Sequence, residues 1–415
     1  MKCAFYEKDI TPPLYGHILG HGTARVAQDV EDKLYAKAVV FEDGGKYCAI
    51  LTLDSICVYA DFCEKIRDRV CEYTDIPREA IAVVANHTHY GIPMGDTVSE
   101  KDVEYMAVLE RLAADTVILA YKRLEDCTLS YALGKRENVA FVRDYVMSDG
   151  RVLTNPSSRL EAKPVKMYNE PDSDLPVLSA VNKDGKLMGV LFTFALHQDT
   201  TGKIAYSGDF SSEISERLKD RYGRNFVSVF LPGFCGDVNH LDFIGGKKQN
   251  HRTVGKELSE AICEAVSCSK PVTASGIDVK AERITLARRR ATAEQLENAK
   301  QTVKTDPPNM AWFLLEYEKK AQTLAPTVDV LLQVFVIGDI TVILSPFEMY
   351  VAYARELKTM TNGKWLMSEL ANYQYSYVPT KELMGSEVYS VQLCSTSWLE
   401  ENAGDKIIKA FEKMI

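Results

Sequence analysis

Residues 80–91 read AIAVVANHTHYG: six apolar residues, then a pair of histidines, His87 and His89, two positions apart. A short apolar run that turns polar at once predicts a buried strand. Ahead of it, ADFCEKIRDRVCEY (60–73) repeats Phe62, Ile66 and Val70 at i, i+4 and i+8. That spacing predicts an amphipathic helix. Before the helix, DGGKYCAILTLDS (43–55) reads as a turn and an apolar strand. The order is therefore strand, helix, strand, with the histidine pair just beyond the last strand. A long helix over roughly 101–124 follows.

The same order recurs downstream. GKLMGVLFTFAL (185–196) reads as a turn and strand. SSEISERLKDRY (211–222) carries Ile214, Leu218 and Tyr222 in helical register, and FVSVFL (226–231) reads as a strand. Two strand–helix–strand units suggest an internal duplication. Val254, Leu258, Ile262 and Val266 mark a further helix. Residues 291–324 are rich in helix formers, broken by Pro307-Pro308, and VLLQVFVIGDITVILS (330–345) predicts a β-hairpin turning at Gly338-Asp339. DKIIKAFEKM (405–414) predicts a closing helix. Residues 135–175 are polar with little periodicity, which fits a linker or a structured lid. The fold class is α/β, with mixed β-sheets flanked by helices. The length fits one large domain over 1–415, or two lobes of about 1–275 and 276–415.

The 415 residues carry a net charge of −9 and are 46% hydrophobic, an ordinary globular composition. A mildly acidic chain without a Lys/Arg-rich stripe excludes nucleic acid and anionic membrane as main partners. The opening MKCAFYEKDI lacks the apolar core of a secretory signal, and no window approaches a membrane span. Ten cysteines without CxxC spacing fit reduced thiols. The expectation is a cytoplasmic protein acting on a small molecule. Its oligomeric state is not encoded in these features.

The chain has only seven histidines, and three of them stand just beyond apolar runs. His87 and His89 follow 80–85, and His197 follows 185–196. Asp237 and Asn239 follow 226–231, and Glu348 follows ITVILS (340–345). The aromatic run ANYQYSYVPT (371–380) follows KWLMSEL (364–370). In sheets with parallel strands, the carboxyl edge is where sites assemble. In an extended segment, residues i and i+2 point the same way, so both rings of the pair would face one pocket. One would act as ligand, the other as electrostatic partner. Glu348 also reads as a carboxylate at a helix start, and Asp209 as an N-cap. Cys235, beside Gly236 in a tight turn, reads as a nucleophile or a small buried thiol.

Together these motifs resemble the N-terminal catalytic domain of neutral/alkaline (non-lysosomal) ceramidases, and especially their shorter bacterial relatives. DITPPL (9–14) is similar to the family's opening, and EDKLYAKAVVFEDG (31–44) to its D-x-L-x-A-x-A strand. NHTHYGIP (86–93) resembles THTHSGP, FALHQDT (194–200) the second histidine segment and SGDF (207–210) the Asp segment. FLPGFCGDVNH (230–240), SPFE (345–348) and YSYVPT (375–380) are similar to the remaining motifs. The resemblance covers roughly residues 4–395.

This resemblance implies one zinc ion held by His87, His197, Glu348 and Tyr377. It places His89 beside the metal and Arg143, in NVAFVRDY (138–145), near the substrate. Asp209 falls on a family Asp position. Where ceramidases carry an essential serine, this chain has Asn239, and the resemblance leaves no room for their C-terminal immunoglobulin-like domain. The activity implied is that of a zinc-dependent hydrolase of an amide, with an ester as the lesser alternative. A water activated by the metal attacks the carbonyl, His89 donates to the developing oxyanion, and Asp209 or Asp237 orients a ligand histidine. Two other classes compete. One is a ligand-binding relative without turnover, suggested by the missing serine. The other is a metal-dependent lyase or isomerase on a sugar-like substrate, with Asp209 as base.

Overall fold

The computed structural model describes residues 1–415 except 21–24, 93, 95–99 and 304–309. The expected break at Pro307-Pro308 lies outside the described residues.

The protein repeats one topology three times. In the first unit, strand Lys2–Asp9 pairs antiparallel with Tyr35–Asp43, which turns into Lys46–Leu53. Helix Ala60–Tyr73 then crosses over to strand Ile81–Ala85, parallel to Lys46–Leu53. A second helix, Glu100–Tyr121, packs back across the first two strands. The second unit follows the same path through Glu125–Lys135, the hairpin Asp174–Asn182 and Leu187–Phe194, helix Asp209–Tyr222, strand Val227–Pro232 and helix His251–Cys268. The third runs through Ile277–Ala287, the hairpin Thr327–Ile337 and Ile340–Leu344, helix Val351–Met360, strand Trp365–Ser368 and helix Ala403–Met414. The sequence pattern showed the first two. The third is hidden because residues 288–326 separate its first strand from its hairpin and carry helices Ala293–Val303 and Met310–Ala321.

The first two units share one sheet and meet where Lys2 and Cys3 pair with Asp126 and Glu125. The third unit builds its own four-stranded sheet. The two sheets share a core: Val39, Ile50 and Leu178 from the first sheet with Phe335, Val342 and Leu366 from the second. Strand Ile81–Ala85 is buried throughout, as its wholly apolar sequence demands. Phe62, Ile66 and Val70 turn the buried face of their helix inward. The hairpin of the third unit turns at Gly338, whose φ of 63° a side chain would resist. The long second helix ends at Tyr121, a turn earlier than the apolar pattern suggests.

Residues 135–175 are an ordered insertion and no linker. Strands Asp144–Met147, Val152–Thr154 and Pro164–Met167 form a small sheet whose central strand begins with the buried Asp144 and Tyr145, next to the buried Arg143. In each unit the crossover places two parallel strands side by side, ending at Leu53 and Ala85, at Phe194 and Pro232, and at Leu344 and Ser368. The polar motifs all lie just past these ends.

Candidate metal centre

His87 leaves the end of strand Ile81–Ala85 in a left-handed turn, with φ of 71°. The segment is thus not extended at this residue, as the i, i+2 reading assumed, yet the two rings still converge, with centroids 5.0 Å apart. The His87 backbone N–H donates to the Ser55 carbonyl (2.9 Å), and Nδ1 lies 2.8 Å from the Ile56 carbonyl. A carbonyl only accepts, so the proton sits on Nδ1 and the lone pair on Nε2. His197 arrives from the second unit, with its ring centroid 4.5 Å from that of His87. Glu348 arrives from the third.

These three side chains meet at one point. Oε2 of Glu348 is 3.4 Å from Nε2 of His87 and 3.4 Å from Nε2 of His197. All three residues are almost wholly buried, and none of these three atoms makes a hydrogen bond. Leaving such groups unsatisfied costs about 1–3 kcal/mol each, so their convergence needs an explanation. Two nitrogen lone pairs and a carboxylate oxygen aimed at one another fit a divalent ion of the zinc type. His87, His89 and His197 also have ligand atoms within 4.8 Å of one another, so a metal could be held by this histidine group as well. The two donor sets share His87 and His197.

The electrostatics follow from burial and proximity. Burial opposes charge on His87, but the Glu348 carboxylate outweighs it and raises the imidazole above its ordinary value. His197 is pushed down to about 4 by burial and by His87, which keeps it a neutral donor. Glu348 is held well below the usual carboxylate range: burial works against it, but the two histidines prevail.

Tyr377 is brought to the same place. Its backbone pairs in parallel register with Glu348, in the two short strands Glu348–Met349 and Tyr377–Val378. Burial, with Glu348 next to it, pushes its phenol well above the ordinary tyrosine value. The buried Arg143 guanidinium lies 5.1 Å from the Tyr377 ring centroid and 5.8 Å from that of Tyr389. It donates to the Gly236 carbonyl at 2.5 Å. Glu348 is itself oriented by Gln374, which donates to Oε1 at 2.6 Å. The chain segment after His197 is tied to the histidine pair: Gln198 donates to the Asn86 carbonyl (2.7 Å), and His89 N–H donates to the Gln198 carbonyl (3.0 Å).

The other named residues have different surroundings. Asp209 starts its helix with φ of 55°, and its carboxylate accepts from Thr200 N–H, Thr200 hydroxyl, Thr201 N–H, Thr201 hydroxyl and Phe210 N–H at 2.5–3.0 Å. Asp237 accepts from the N–H of Val351 at 2.8 Å, at the start of helix Val351–Met360. Burial pushes its carboxyl up to about 7. Asn239 donates to Asn155 (2.8 Å) and accepts from Leu241 N–H (3.0 Å). Cys235 is a buried thiol whose pKa is driven well up by burial and by Glu369, so it is held protonated.

Glu369 escaped the sequence reading. It is wholly buried just past strand Trp365–Ser368, and its carboxyl accepts from Cys235 N–H and Sγ, both at 3.0 Å. Burial pushes it up to about 8. The signal was present: it is the acid that ends an apolar strand in SEL (368–370), as Glu348 follows another.

No protein-family profile and no curated protein sequence matches the chain. Solved structures do. A ceramidase complexed with C2 superposes with a TM-score of 0.75 at 17% identity, covering 100% of this chain and 74% of that one. Neutral ceramidase from Pseudomonas aeruginosa gives 0.74 at 18% identity, covering 100% and 73%. The fold is therefore ceramidase-like over the whole chain. No helix among the described residues is long and apolar enough to cross a membrane.

Proposed function

We propose that this protein is a zinc-dependent hydrolase of an amide bond in a small molecule, with His87, His197, Glu348 and Tyr377 as metal ligands. The observation that carries this reading is the meeting of three buried atoms without hydrogen bonds, one from each repeated unit, at 3.4 Å. The likeness to two structures named as ceramidases supports it, since ceramide is joined through an amide.

A bound zinc ion would polarise the carbonyl and lower the pKa of a water toward neutrality. The chain's own residues do the rest. The Ile56 carbonyl fixes the His87 tautomer and Gln374 fixes the Glu348 carboxylate. His89 stands beside the two ligand histidines, 5.0 and 5.8 Å from them between ring centroids, where it donates to a developing oxyanion. Arg143 lies over the Tyr377 ring, from where it would face the substrate. Asp209 acts as a positioning residue: with five donors on its carboxylate, it has no lone pair to spare for a substrate proton. These bonds weigh against Asp209 as the base on which the lyase or isomerase reading relied. By the sequence resemblance Asn239 falls where ceramidases carry serine, so water is the nucleophile assigned here.

The test is metal analysis of purified protein together with hydrolysis of N-acyl substrates in heavy-oxygen water. One zinc per chain and one solvent oxygen in the released acid are expected. Tight ligand binding with no product would favour the binding module instead.

A further inference from the structure

We infer that Glu369 and Cys235 form a positioning pair that sets the spacing of the three convergent ligands. The inference rests on the metal-centre reading above.

The turn 233–237 touches the segments that bear His197 and Glu348 and, through Arg143, Tyr377. Its Gly233 N–H donates to the Phe194 carbonyl (2.9 Å), on the strand that leads to His197, and a Cβ there would stand 3.0 Å from Ala195 N. Gly236 N–H donates to the Met349 carbonyl (2.8 Å), and a Cβ at Gly236 would stand 2.6 Å from the Glu348 carbonyl oxygen. The Gly236 carbonyl receives Arg143 (2.5 Å), which lies over Tyr377. Two glycines thus let the turn wedge between the segments that bear His197 and Glu348. Cys235 lies between them at the middle of the turn, and both its N–H and its S–H are given to the Glu369 carboxyl.

Glu369 also joins the turn to the third ligand. Its own N–H donates to the Pro232 carbonyl (2.9 Å). The residues after it run along the strand of His87: the Leu370 carbonyl accepts from Ala85 N–H (3.2 Å), and Asn372 N–H donates to the Val83 carbonyl (2.6 Å). One buried carboxyl therefore clamps the turn against the segment that positions His87. Both residues are fully buried and act through the segments that bear the ligands, so this is a positioning role. Partners in the layer behind metal ligands typically alter affinity by about 10–100-fold.

The experiment measures zinc affinity of the full chain by competition with a chelator, for the wild type, Cys235→Ala, Cys235→Ser and Glu369→Gln. Thermal unfolding of each is recorded after metal removal. The expected result is a loss of roughly 10-fold or more in zinc affinity for Cys235→Ala and Glu369→Gln. Cys235→Ser, which keeps a donor to Glu369, recovers most of it. A purely structural role would lower the unfolding temperature and leave the affinity of the folded protein unmoved. Wild-type affinity in Cys235→Ala overturns the inference, as does a serine variant that falls as far as alanine. If Glu369→Gln fails to fold, the two cysteine variants decide. If the wild type binds zinc and His87→Ala binds it equally well, the ligand assignment fails, separately from the clamp. If the wild type binds no zinc at all, both readings fall.

Discussion

Nε2 of His87 and Oε2 of Glu348 lie 3.4 Å apart, both buried and neither in a hydrogen bond, although the first and third units of the chain supply them from 261 positions apart in sequence. On the proposed reading, such a pair would share a cation. His87→Ala should therefore lower zinc content from about one per chain to near none. It should also abolish the rise in unfolding temperature that added zinc gives the wild type. Undiminished zinc in the variant would count against this ligand.

Asp209→Asn separates positioning from proton transfer. The variant meets the same five donors with one fewer acceptor oxygen, so the loop 200–201 should loosen at a cost of about 2–4 kcal/mol. Turnover should fall in amplitude while the pH–rate profile keeps its shape. Loss of one limb of that profile would instead mark Asp209 as the base.

Gly236→Ala places a methyl group 2.6 Å from the Glu348 carbonyl oxygen, a backbone atom that cannot swing aside. Destabilisation of about 1–3 kcal/mol is expected, with weaker zinc binding, because the strain falls on the segment carrying Glu348. Gly246→Ala is the control: a Cβ there meets nothing within 4 Å, although its φ of +69° carries a backbone strain of its own.

Asp237 supplies a pH test. Burial raises its carboxyl to about 7 in the folded protein, against an ordinary value of 3.8. A raised pKa means that the folded state favours the protonated form. The stability it contributes is complete below about pH 4 and is lost as pH rises through about 7. Unfolding midpoints of chelator-treated protein should therefore shift in favour of Asp237→Asn over the wild type between pH 4 and 7. A difference independent of pH would show that this carboxyl does not titrate as its burial requires.

The sequence went furthest where physics is local. Strand Ile81–Ala85 was legible because a buried parallel strand must be apolar on both faces, and the helix Ala60–Tyr73 because one face must be. Asp237 shows the limit. Its place beyond a strand suggested a partner for a ligand histidine, whereas its carboxylate is spent on the N–H of Val351, a choice set by how the second and third units dock. Glu369 was passed over for the same reason: nothing near it in sequence shows that Cys235 is its partner.

Composition, periodicity and the polar residues at strand ends determined the α/β class, the two clearest repeats and the candidates His87, His89, His197 and Glu348, because each depends on neighbours within a few residues; Tyr377 was singled out from its aromatic run by the family resemblance alone. Only the tertiary structure decided that the topology occurs three times, that each unit sends one side chain to a common point, and that Asp209 is saturated by Thr200, Thr201 and Phe210. Those facts depend on distances between segments far apart in the chain, and such distances are fixed by the packing of whole sheets, which no local pattern encodes.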